Sequence, residues 1–89
     1  MKRIVLDVSC IETVRALHIY LAYQLDFPAY YGKNLDALHD LLTEVGEKMS
    51  IVLRGKACSE EMAAYLPRLE RVFEDCAEEN AALEFTREI

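Results

Sequence analysis

The 89-residue chain has 53% hydrophobic positions but only 3 glycines and 2 prolines, which fits a single packed domain over 1–89 and argues against disorder. Its 16 acidic and 10 basic side chains give a formal charge of −6. Phosphate backbones are therefore repelled, so no direct nucleic-acid partner is expected, whereas a basic protein suits such a surface. Cys10, Cys58 and Cys76 form no Cys-x-x-Cys pair and match no metal-ligand spacing, so neither a metal nor another cofactor is expected. No apolar stretch reaches membrane-spanning length, and Met1-Lys2-Arg3 precedes only a short apolar run. The reading is a cytoplasmic protein with reduced thiols, without a secretory signal and without a membrane partner.

In chain order, Ile4-Val5-Leu6 and Val8 predict a buried strand, whose continuous apolarity makes it the expected centre of the sheet. Ser9 and Glu12 stand at capping-box spacing. Ile11, Val14, Leu17, Leu21 and Leu25 then recur at helical spacing through about Gln24, and Asp26-Phe27-Pro28 stops the helix because the residue before proline is pushed out of the α region. Asn34 predicts the N-cap of a second helix with the stripe Leu35, Leu38, Leu41, Leu42 and Val45, ending near Gly46. Residues 49–53 read as a second strand. Ser59 predicts a short third helix through Ala64, and Pro67 the first turn of a fourth with the stripe Leu69, Val72, Phe73 and Cys76, ended by Asn80. Residues 83–87 alternate as a strand does. Helices between successive strands imply parallel pairing through right-handed crossovers. The expected fold is α/β, a small three-stranded parallel sheet packed with about four helices.

The segment from Phe27 to Leu42, F-P-A-Y-Y-G-K-N-L-D-A-L-H-D-L-L, holds most of the functional information. At about 100° per residue, Asp36, His39, Asp40, Thr43 and Glu47 share the face opposite the leucines. Asp36 and Asp40 are like charges four apart, which costs a helix about 0.2–0.5 kcal/mol. Taken alone, the pair reads more readily as a solvated face, with Asp36 complementing the helix dipole, than as a recognition element. Tyr30 and Tyr31 beside it can pack their rings while keeping hydroxyls for a partner, and at least one ring is expected to staple the helix to the core.

Catalysis finds little support. His39 and Asp40 are sequence neighbours, so their side chains diverge by about 100° on a helix, poor geometry for a dyad. His18 falls at the margin of the first helix's stripe and reads as a satisfied, partly buried residue. Cys76 lies on an apolar stripe, and Cys10 has no basic neighbour to serve as a catalytic partner. An enzyme is not expected.

Pro28, Tyr30-Tyr31-Gly32, Asn34-Leu35-Asp36-Ala37-Leu38 and Asp40 together resemble the signature of the barstar family, and the order of elements along the chain is similar too. The resemblance implies an intracellular inhibitor of a basic, barnase-like, guanyl-specific microbial ribonuclease, monomeric when free. By position it implies that Asp40 takes the place of a substrate phosphate and that Asp36 adds an anionic contact. Tyr30 and Asn34 would line the contact from the loop, and Thr43 from the far end. Asp75 aligns with a further acidic contact, usually a glutamate, a role open also to Glu74 or Glu79. His39 stands where a large aromatic residue is found, and Lys33 would locally oppose a basic enzyme. The other reading is an acidic interaction or immunity module for a different basic protein or toxin.

Overall fold

A computed structural model describes residues 1–88. The elements run β1 (Lys2–Asp7), α1 (Val14–Gln24), α2 (Leu35–Thr43), β2 (Met49–Arg54), α3 (Glu60–Glu79) and β3 (Leu83–Glu88). The strands form one parallel sheet in the order β1-β2-β3. Ile4 pairs with Ile51 and Ile51 with Phe85, which sets the register. The α/β class and the parallel sheet are as expected.

The centre of the sheet is β2, not β1. Ile51, Val52 and Leu53 are buried in succession, so both faces of β2 are covered. β1 has exposed Lys2, Arg3 and Asp7 and a half-exposed Val5, the pattern of an edge strand.

Helix α1 begins later than Ser9 and Glu12 suggest. The chain stays paired beyond β1, where the Val8 N–H donates to Arg54 O at 2.9 Å. Asp7 Oδ1 then accepts from both the N–H (3.0 Å) and the hydroxyl (2.6 Å) of Ser9, which leaves Ser9 no part in a capping box. Thr13 caps instead, its hydroxyl accepting from the Ala16 N–H at 3.1 Å. The helix stops where expected. Asp26 adopts φ 54 and the Phe27 N–H returns to Ala22 O at 2.9 Å, a Schellman closure.

Among the described residues there are three helices, not about four. The predicted third and fourth are one 20-residue helix, α3, with Pro67 inside it. An interior proline costs a helix about 3 kcal/mol. Against that, Met62, Leu66, Leu69, Phe73 and Cys76 are all buried along one stripe that runs through Pro67. Each large apolar side chain contributes about 1.5–3 kcal/mol by burial, so packing on both sides of the break outweighs it. The proline ring itself is exposed. These residues join Leu6, Leu17, Leu21, Leu38, Leu42, Ile51 and Leu53 in the core. Among the described residues, no helix is long and apolar enough to cross a membrane.

Candidate protein-partner interface

Helix α2 is placed by its two ends. At the first, Asn34 Oδ1 accepts from the Ala37 N–H at 2.8 Å, and its Nδ2 donates to Gly32 O at 3.3 Å. The predicted N-cap forms, and it occupies most of the Asn34 amide. Lys33 takes up φ 55 to turn the chain into the cap. Gly32 lets the loop close on the helix: a Cβ there would stand 3.3 Å from the Ala37 Cβ.

At the other end, α2 stops at Thr43, short of the expected Gly46, so Glu47 lies beyond the helix and leaves the predicted face. The Asn80 side chain, from the end of α3, donates to Leu42 O at 3.1 Å and Val45 O at 2.9 Å. It thereby satisfies carbonyls that a helix end leaves open. In the sequence Asn80 reads only as the end of its own helix, because a contact across 38 residues leaves no local signal.

The loop before α2 is braced from below. Tyr31 is 6% exposed and Tyr30 81%, so the two neighbours divide the roles of staple and surface. The Tyr31 hydroxyl lies 2.6 Å from His18 Nδ1, and the Tyr65 hydroxyl 2.7 Å from His18 Nε2. His18, fully buried rather than partly so, thus joins α1, the loop and α3. A neutral imidazole donates through one nitrogen and accepts through the other, so it satisfies both phenols. Burial holds His18 below its ordinary pKa and pushes the Tyr31 phenol up.

On the exposed face, Asp36 is in solvent and the Asp40 side chain is 83% exposed. Neither is paired with a lysine or arginine among the described residues; Asp40 has only His39 Nδ1 at 4.0 Å. Half-buried Thr43 donates its hydroxyl to Asp40 O at 3.0 Å. His39 turns towards α3, with Nε2 3.1 Å from Glu79 Oε2. Asp75, on the same helix, is held by Arg71 at 3.3 Å. Burial, then the carboxylates of Glu79 and Asp75, push the Cys76 thiol up to about 11, which keeps it protonated. The Cys76 thiol points at His39 O, 3.8 Å away. The α2 face and the acidic flank of α3 are therefore continuous.

Beside α2 lies a groove of 290 Å³ lined by Tyr30, Tyr31, Gly32, Ala37, Asp40, Leu41 and Glu44. Tyr30, Asn34, Asp36, Asp40 and Thr43 thus gather along one helix and its preceding loop, with His39 joining them to Glu79. Asp75 is engaged with its own neighbour Arg71.

The sequence model of the Barstar family, described as Barstar (barnase inhibitor), matches residues 1–88. A Bacillus subtilis (strain 168) protein named "Putative ribonuclease inhibitor YrdF" is 51% identical over 43 residues, a match covering 48% of this chain and 47% of that protein. The similarity thus spans about half the length of that relative.

Proposed function

Because the chain belongs to the barstar family, we propose that it inhibits a basic, barnase-like, guanyl-specific microbial ribonuclease by filling the enzyme's active site with α2. The observation that supports this best is the pair Asp36 and Asp40, one helical turn apart, exposed, and without a lysine or arginine partner among the described residues. A nuclease site is a concave, cationic pocket built for phosphates, and carboxylates on a rigid helix are natural decoys for it. The anchors at Asn34, Asn80 and Tyr31 fix the helix beforehand, which lowers the ordering cost of binding.

In this reading Asp40 lies at the centre, where the enzyme's arginine, lysine and histidine side chains meet a phosphate. Asp36 offers a second anion one turn earlier. Tyr30 packs its exposed ring on the partner, and Thr43 keeps its oxygen lone pairs free while its proton is given to Asp40 O. Asn34 supports the loop and presents its remaining amide hydrogen. Asp75 joins only by exchanging Arg71 for a partner cation, whereas Glu79 is already beside His39 and needs no such exchange. The site of action is the cytoplasm of a cell that makes the ribonuclease.

The test is titration of a barnase-like ribonuclease with the parent protein and with Asp40→Ala. Stoichiometric inhibition by the parent, reduced by at least about a hundredfold in the variant, supports the active-site decoy; 1.4 kcal/mol corresponds to each factor of ten. Equal potency of the two proteins sinks it.

A further inference from the structure

Glu44 places a carboxylate where folding alone disfavours one. It is the C-cap residue of α2, next to the negative end of the helix dipole, and no basic residue occupies the last turn. It also follows Asp36 and Asp40 in four-residue steps, so each successive pair repels. Glu44 is exposed and enters no ion pair among the described residues. Local conflicts of this kind concentrate at functional sites.

The geometry around it gives that conflict a use. Glu44 and Asp40 line the same 290 Å³ groove, with Ala37 and Leu41 as its apolar part and Tyr30 beside them. An aliphatic stem can lie along Ala37 and Leu41, as long basic side chains do on apolar surface. Its charged head then meets two carboxylates and an aromatic ring, both of which attract cations. A neutral or acidic occupant would leave those carboxylates desolvated and unpaired.

We infer that Glu44 is a partner-contact residue, and that the groove between Tyr30, Asp40 and Glu44 receives one lysine or arginine side chain of the basic protein bound by α2. This deepens the proposed inhibitory reading and rests on it. Glu44 sets specificity here: it extends the acidic stripe by a turn and selects enzymes with a cation at the matching rim position.

The experiment titrates a barnase-like ribonuclease with the parent protein, Asp40→Ala, Glu44→Gln, Tyr30→Leu and the Glu44→Gln/Tyr30→Leu double variant, at low and moderate salt. Melting temperatures are recorded for each. Glu44→Gln is expected to weaken inhibition about tenfold at low salt and less at moderate salt, since charge attraction is screened. Its melting temperature should equal or exceed the parent's. The double variant should lose less than the product of the single losses, because both residues hold the same cation. Unchanged inhibition by Glu44→Gln, strict multiplicativity, or a lowered melting temperature overturns the slot. A large loss in Asp40→Ala alongside any of these leaves the inhibitory reading standing. Absence of inhibition by the parent overturns both.

Discussion

At the residue scale, the two aspartates of α2 separate by position although both are exposed. Asp36 lies in the first turn, where a carboxylate gains about 0.3–1 kcal/mol from the helix dipole. That gain offsets its repulsion of Asp40. Asp40 lies too far along for the dipole to help, and Glu44 repels it from the other side. Asp40→Ala should therefore raise stability by about 0.2–0.5 kcal/mol while inhibition collapses, and Asp36→Ala should leave stability nearly unchanged. Urea denaturation of the two variants checks this; a clear loss in both would make the carboxylates structural.

His18 behaves oppositely, being fully buried and bonded at both nitrogens. Its folded-state pKa is lowered by burial from the ordinary 6.5. As pH falls through about 6.5, the unfolded chain takes up a proton that the folded one refuses, so stability present above that pH is lost progressively until the folded pKa is reached. Stability should thus decline from pH 7 towards 5. In His18→Gln the decline over this window should flatten, and stability at pH 7 should be lower because the brace to Tyr31 and Tyr65 is disturbed. An unaltered pH slope in that variant would show that His18 is not the titrating group.

At the element scale, the fit of α2 against its surroundings depends on a residue outside it. Asn80 has extended backbone (φ −124, ψ 106), so alanine is accepted there without strain and the substitution isolates the amide. Asn80→Ala removes three hydrogen bonds, the two donated to Leu42 O and Val45 O and the one accepted from the Ala82 N–H, and leaves the two carbonyls without a partner in part-buried surroundings. A loss of about 1–3 kcal/mol is expected, together with faster dissociation from the ribonuclease. Denaturation and surface-binding kinetics read the two effects. Helix α2 itself is legible in the sequence: the Asn34 cap and the Leu35, Leu38, Leu42 periodicity are local signals, as are the Ser59 cap and the Asp26-Phe27 stop. Elements decided by remote contacts are not. The continuity of α3 through Pro67 depends on a core that no window of sequence displays. The late start of α1 depends on Val8 staying paired with Arg54 on β2, and the central place of β2 on what covers its two faces. The same divide runs through the site. Asp36, Asp40 and Tyr30 are visible as an exposed pattern, whereas His18, Asn80 and the His39–Glu79 contact join residues far apart in the chain.

For the whole molecule, the charge of −6 acts before any contact forms. The carboxylates of α2 (Asp36, Asp40 and Glu44) and of the α3 flank (Asp75 and Glu79) concentrate negative potential on the side that the proposed function turns towards the partner. A basic enzyme approaching that side is oriented by the field, and such steering raises association rates by about 10–10³-fold. The Debye length shrinks from about 30 Å at 0.01 M salt to about 8 Å at 0.15 M, less than the span of the acidic face and its approach path. The association rate with a barnase-like ribonuclease should therefore fall at least about tenfold over that range. Dissociation should change far less, because short-range pairs at the buried centre are little screened. Stopped-flow association at several salt concentrations decides the matter. A rate indifferent to salt would mean that shape alone guides the encounter and that the acidic face works only after contact. A steep dependence that survives Glu44→Gln but weakens with added neutralisation at Asp36 would place the steering field on the first turn of α2 instead of along its whole length.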